Sequence, residues 1–412
     1  MNTFLQPLQS LAEMEEIQKQ AKKNRGILEI SGCMESQKAH LMYGLSGLFP
    51  CHLIITADEK SAKEIYEDYR FYDKQVYYYP AKDLLFFQAD IHGNLLIRQR
   101  MQVIRAILER QAEITVVTSI DGCMDYLVPL EKIEKQLIHF RNDSTLDMDK
   151  LTAALVHMGY ERVGQVEMPG QFSIRGGIID IYSLTEENPW RIELWGDEID
   201  SIRSFDAQSQ RSLENLDDIT IYPAAEQPME KNGVSFLDYF EEKETLIFLD
   251  ELNHLEENAK AVQEEFQLSC QNRKEKGETV LSGDWMCTWE ELCHKLNNRN
   301  CVAMSLLDPK KSSWKISEQF NITVKSMSSY QSSFELLVKD LKQYKKEGYQ
   351  IVVLSGSRTR AERLAKDLQE QGLNAFYGQN SDRILQAGEI MVAYGHARKG
   401  FEYPLVKFAV IT

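Results

Sequence analysis

The chain is short of several things at once. Its 412 residues hold seven cysteines, at 33, 51, 123, 270, 287, 293 and 301, with no CxxC pair. An odd set without that spacing argues against a disulfide-stapled fold and fits free thiols in a reducing compartment. Cys287, Cys293, His294 and Cys301 lie close in sequence, but their spacing matches no common zinc pattern. Ordinary buried cysteines and no metal are expected there. No apolar run approaches the ~18 residues of a membrane span, and the first residues lack the basic-then-apolar order of a signal peptide. A cytoplasmic protein with no membrane partner is expected. Positive charge is scarce too: Lys plus Arg is 47 and Asp plus Glu is 63, a net charge of −16. Duplex affinity rests on phosphate neutralisation by Lys and Arg, so this chain is not expected to coat DNA by itself.

What is present is enough to fold. Hydrophobic residues make up 43% and aromatics 10%, which supports real cores. At about 150 residues per domain the length predicts roughly three domains. Short apolar strands at Ile27–Ser31, Leu53–Thr56, Val76–Tyr79 and Ile114–Ser119 alternate with helical patterns from Ser36, Ala62 and Ile97. That alternation predicts a parallel sheet covered on both faces. Between about Tyr126 and Ser212 the period changes to two, with strands over Phe172–Ile181, Arg191–Trp195 and Ile199–Phe205 and a hairpin turn at Gly196-Asp197. An antiparallel α+β insertion is expected. Leu246–Leu249 reads as a buried strand, Ser326–Ser333 as a linker, and the residues from Phe334 onward as a small αβ unit. The sequence ends directly after the apolar strand Phe408–Thr412, so a piece of a longer protein is expected.

Two segments look like remnants of a phosphate site. Ser31-Gly32-Cys33-Met34-Glu35-Ser36-Gln37-Lys38-Ala39 follows a strand and precedes a helix. A working loop, GxxxxGK[ST], needs a glycine before the lysine to wrap phosphate and a hydroxyl after it to hold Mg²⁺. Gly32 and Lys38 keep the spacing, but Gln37 and Ala39 replace the glycine and the hydroxyl, and Glu35 adds negative charge. Leu246-Ile247-Phe248-Leu249-Asp250-Glu251 is a strand ending in two acids, as in a Walker B segment. Gly32, Lys38, Asp250 and Glu251 therefore read as an inactive nucleotide site, with no catalytic residue and no cofactor.

The insertion carries a second signal. Between Leu151 and Glu230 there is no lysine; the cations are Arg162, Arg175, Arg191, Arg203 and Arg211. Guanidinium suits planar, partly desolvated contacts. Alternation in Arg191-Ile192-Glu193-Leu194-Trp195 puts Ile192 and Leu194 on one face and Arg191, Glu193 and Trp195 on the other. If the Ile/Leu face is core, Trp195 is exposed beside an arginine, the composition of an interface hot spot. Burial of Trp195 under a helix is the competing expectation.

Met168–Leu184 and Arg191–Ser212 resemble the insertion shared by UvrB-type excision-repair proteins and the transcription-repair coupling factors. The ruined phosphate loop, the Ser-Gln-Arg-Ser ending, and a segment from Pro80 to Arg98 too short for the DNA-inserting hairpin of UvrB favour the second family. The resemblance runs the length of the chain in order, loosely over Lys231–Ser326. It implies docking on UvrA through Arg175, Arg191 and Trp195, with Glu193 on the same face. A phenylalanine is usual in the family where Trp195 stands. Arg203 and Asp206 lie in the same motif and are not expected to make direct contact. The resemblance also implies that the docking surface is masked at rest, and that RNA polymerase and DNA are engaged by regions of the parent protein, an ATP-driven DNA translocase, outside this sequence. Strand, Ser355-Gly356-Ser357, helix and Ile390–Pro404 resemble a second helicase lobe, where an Arg-x-Gly segment approaches nucleic acid; a spacer role is expected for it.

The expected class is thus α/β: a degenerate RecA-like parallel-sheet domain in two parts (1–125 and 213–328), an inserted antiparallel α+β UvrA-binding domain (126–212), and a small C-terminal αβ domain (329–412). A UvrB-type excision-repair ATPase and a nucleic-acid-binding module of degenerate helicase lobes are the alternatives.

Overall fold

The computed structural model describes residues 2–23, 26–82, 94–226, 233–276, 286–307, 313–327, 330, 333–378 and 383–412. The central sheet has seven strands, all parallel. Their spatial order is Ile316–Asn321, Gly26–Ser31, Asn300–Met304, Thr245–Asp250, Cys51–Thr56, Ile114–Ser119 and Val76–Tyr79. Adjacent residues of these strands feed opposite cores. Leu28, Ile54, Phe248 and Val302 face one apolar cluster; Ile27, Leu53, Ile247 and Cys301 face the other. Burial on both faces is why the strands inside the exposed edge strand Ile316–Asn321 read as largely apolar runs.

The insertion has a core of its own. Six strands run in the order Ser212–Leu216, Glu198–Phe205, Trp190–Trp195, Ile178–Ile181, Gln171–Arg175 and Glu161–Arg162. One sheet face packs Phe172, Ile179, Ile181 and Ile192 against Leu151 and Leu155 of the helix Met148–His157. The predicted single strand Phe172–Ile181 is in fact a hairpin, because Gly176 adopts a left-handed turn at φ +62°. The expected boundary at residue 212 falls inside this unit. Ser212–Leu216 pairs with Glu198–Phe205, and Asp218–Ile221 returns to pair with Ile138–Arg141.

Arg100 ties this unit to the parallel sheet. Its side chain is fully buried and lies 4.2 Å over the Tyr79 ring. Its guanidinium reaches Asp125, where the chain leaves for the insertion, and Glu226, where it returns. Burial pushes the Asp125 carboxyl up to about 6, against the pull of Arg100.

The last unit is a six-stranded sheet in the order Lys325–Met327, Gly400–Tyr403, Phe408–Ile411, Gln350–Ser355, Glu389–Tyr394 and Asn374–Gly378. The predicted linker at Ser326–Ser333 begins as an edge strand of this sheet, because Lys325–Met327 pairs with Gly400–Tyr403; its residues 328–329 and 331–332 lie outside the described residues. Most of the short Pro80–Arg98 segment lies outside them too. All seven cysteines are free thiols. Among the described residues no group of three His, Cys, Asp or Glu side chains is placed to hold a metal ion, and no helix is long and apolar enough to cross a membrane.

Candidate functional site

The phosphate-site remnants come together in space. Gly32 turns at φ +80°, and a Cβ there would meet the Ile322 carbonyl oxygen at 2.1 Å, so only glycine fits. The helix Glu35–Ser46 follows. Lys38 points back from it, and its ammonium donates to Asp250 and Glu251, each at 2.6 Å. Burial alone would lower the Lys38 pKa; the two carboxylates outweigh it and hold the ammonium above the ordinary lysine value. In a working site such a lysine is left for phosphate and the acids for Mg²⁺. Here the lysine is paired with both acids.

The substituted glycine also has an occupation. The Gln37 amide donates to the Tyr403 hydroxyl at 3.0 Å, and its carbonyl accepts from the Met34 backbone N–H. The Tyr403 hydroxyl lies 3.0 Å from His40 Nδ1, and His40 Nε2 lies 2.8 Å from the Phe4 carbonyl. A carbonyl can only accept, so Nε2 carries the proton and Nδ1 accepts from Tyr403. Lys399 closes the same edge: its ammonium pairs with Glu35 at 2.6 Å, and its backbone N–H donates to the Ser36 hydroxyl. Arg398 pairs with Glu64 and Asp68. Arg398 and Lys399, which precede Gly400, are therefore both engaged by the first domain.

The second candidate site is the open face of the inserted sheet. Ser173 and Arg175, Ile178 and Asp180, and Arg191 and Glu193 are alternate residues on neighbouring strands and share that face. Asp180 is its hub. The Arg191 guanidinium donates to both Asp180 oxygens, at 2.7 and 2.9 Å, and Arg175 donates to one at 2.7 Å. Arg191 also donates to Gln210 and lies 4.4 Å over the Phe205 ring. Its side chain is only 15% exposed, while that of Arg175 is 46% exposed. Glu193 is held by Arg203 and Ser201. Trp195 stands at the hairpin end, 84% exposed, beside Gly196 at φ +65°.

The four predicted docking residues thus share one face in two roles. Trp195 and Arg175 present surface. Arg191 and Glu193 are taken up by partners within the sheet. Asp180, which sequence reasoning did not single out, organises the arginines. Its signal was visible: an acid alternating with isoleucines in Ile178–Ile181 must find a cation if that stretch is a strand.

Residues 138–226 match the family described as the UvrB interaction domain, the span that the antiparallel unit occupies. The chain is 29% identical to the transcription-repair-coupling factor of Bacillus subtilis (strain 168), with 93% of this chain and 38% of that protein covered. It is 25% identical to the transcription-repair-coupling factor of Staphylococcus haemolyticus (strain JCSC1435), with 87% of this chain and 35% of that protein covered. The chain spans well under half the length of these relatives. The parallel-sheet domain, the inserted sheet and these matches together support a UvrB-like module of the transcription-repair-coupling factor type.

Proposed function

We propose that this module recruits UvrA, and that the open face of the inserted sheet is where UvrA docks. The observation that carries the reading is Trp195: a large aromatic left 84% exposed on a sheet whose other face is a closed core. Exposed aromatics are the usual anchors of protein interfaces. Arg175 is the second contact, because its guanidinium keeps open surface after pairing with Asp180. Arg191 and Glu193 position the face from beneath. The insertion is taken as 138–226, between the two parts of the parallel-sheet domain, with the small αβ domain after it.

The module itself does not hydrolyse ATP in this reading. Lys38, Asp250 and Glu251 satisfy one another, and the hydroxyl that would hold Mg²⁺ is replaced by Ala39. In a chain of the relatives' length, DNA translocation and the contact with RNA polymerase would belong to regions outside this module, working in the cytoplasm. The test is binding of purified UvrA to the wild-type chain and to Trp195→Ala and Arg175→Ala variants. Absence of wild-type binding, or equal binding by all three, rejects the docking face. ATP turnover by the chain rejects the inactive nucleotide site.

A further inference from the structure

We propose that the cleft between the first domain and the last carries a binding site for a nucleotide unit, a phosphate with its base, distinct from the remnant phosphate site. The cleft has a volume of about 800 Å³, within the range of sites that enclose small ligands. Its position in the last sheet is the first argument. Gln350–Ser355 and Glu389–Tyr394 are neighbouring parallel strands. From the first, the chain runs through the helix Arg358–Glu370 to Asn374–Gly378 on one side of the pair. From the second, it runs to Gly400–Tyr403 on the other side. The Gly395 N–H donates to the Ser355 carbonyl oxygen at 3.1 Å, so both connections leave along the carboxyl edge of the sheet, the edge at which ligands of open α/β sheets bind. Gly356, Gly378 and Gly395 stand at the carboxyl ends of three parallel strands and line the cleft.

The charge of the lining is the second argument. Arg358, at the start of its helix, faces the cleft together with Arg70 and Lys74 of the first domain. Among the described residues none of these three forms an ion pair; the Lys74 ammonium donates to the Arg70 carbonyl oxygen at 2.7 Å, and the Arg70 guanidinium lies 5.4 Å from the Tyr66 ring centroid. Glu67 and Glu362 share the lining, so the local balance is still positive, in a chain whose net charge is −16. A helix N-terminus adds its own partial positive charge toward the same space. Cations without a carboxylate partner, converging on a crevice, suit a phosphate.

The rings are the third argument. Tyr394 is 53% exposed, with the Arg358 guanidinium 5.8 Å from its ring centroid. Phe71 and Tyr377 line the cleft around it. Aromatic faces beside guanidinium groups form a stacking platform for a nucleobase. Arg398 and Lys399 take no part, since both are engaged by the first domain.

The ligand's source is either a free nucleotide or an unpaired nucleotide of a single strand, and the experiment separates them. The full chain is titrated calorimetrically with AMP, with inorganic phosphate and with a short oligo-dT, without and with Mg²⁺. The expected result is Mg²⁺-independent binding of AMP or of the strand, weakened about tenfold or more in Arg358→Ala and in Arg70→Ala. Tyr394→Ala weakens it while leaving any phosphate binding unchanged. AMP binding assigns the free source; binding of the strand alone, with the same losses, assigns the strand. All three side chains are exposed, and circular dichroism confirms that the variants fold. Absence of binding by AMP and by the strand overturns the proposal, as does equal binding by wild type and the Arg70/Arg358 double variant. Binding that requires Mg²⁺ and survives both substitutions belongs to Lys38 and Asp250, and overturns it as well.

Discussion

The ammonium of Lys38 lies 2.6 Å from the carboxylate of Asp250, with both side chains largely buried. The pair ties the helix Glu35–Ser46 to the strand Thr245–Asp250. Removing one partner of such a pair leaves a buried charge unmatched and typically costs about 3–5 kcal/mol. Lys38→Met is expected to lower stability by that order in a urea titration. Lys38→Met with Asp250→Asn should lose less than Lys38→Met alone, since the neutral amide needs no cation. A double variant no more stable than the single one would show that the pair is not coupled.

Trp195 is expected to behave in the opposite way. At 84% exposure it contributes little packing to the inserted sheet, so Trp195→Ala should melt within about 1 °C of wild type, as surface substitutions do. Its loss should nevertheless weaken UvrA binding by about 2 kcal/mol or more, the range of an aromatic hot spot. Surface plasmon resonance with immobilised UvrA reads this directly. A stable variant with undiminished affinity removes Trp195 from the interface.

Much of this architecture is written in local pattern. The parallel strands are legible because burial on both faces makes them apolar throughout, as in Thr245–Asp250. The exposed Trp195 face is legible because Ile192 and Leu194 alternate with it. What local pattern does not carry is pairing at long range. Gln37 looks like a simple loss of glycine until Tyr403 stands opposite it, 366 residues along the chain. Arg398 and Lys399 look like free cations until Glu64, Asp68 and Glu35 are folded against them. Arg191 has the side chain of a contact residue, and only the register Arg191 to Asp180 reveals that its guanidinium is already used.

That register makes a distinct prediction for Arg191. Arg191→Ala leaves Asp180, a side chain with no exposure, with Arg175 as its one guanidinium partner. A loss of about 3 kcal/mol is expected in the stability of the inserted unit. Arg191→Lys should restore little of it, because an ammonium cannot donate to both carboxylate oxygens and to Gln210 in one plane. UvrA affinity should fall in both variants along with the melting temperature. Affinity lost at full thermal stability would instead make Arg191 a direct contact.

His40 gives the fold a defined sensitivity to acid. The ring is buried between the first and last domains, stacked on Phe408 at 5.7 Å between centroids. Burial pulls its pKa down to about 4, against the small upward pull of the Phe4 carbonyl. An unfolded histidine titrates near 6.5. Between those values the unfolded chain takes up a proton that the folded protein refuses. The contribution to stability is therefore complete above about pH 6.5 and is lost as the pH falls toward 4. The expected loss between pH 7 and pH 5 is about 2 kcal/mol. His40→Gln can still accept from Tyr403 and donate to the Phe4 carbonyl, but it cannot titrate. Urea midpoints at the two pH values, compared between wild type and His40→Gln, isolate the histidine from every other group. The variant should lose about 2 kcal/mol less than wild type over that interval; an equal loss in both would assign the acid sensitivity elsewhere.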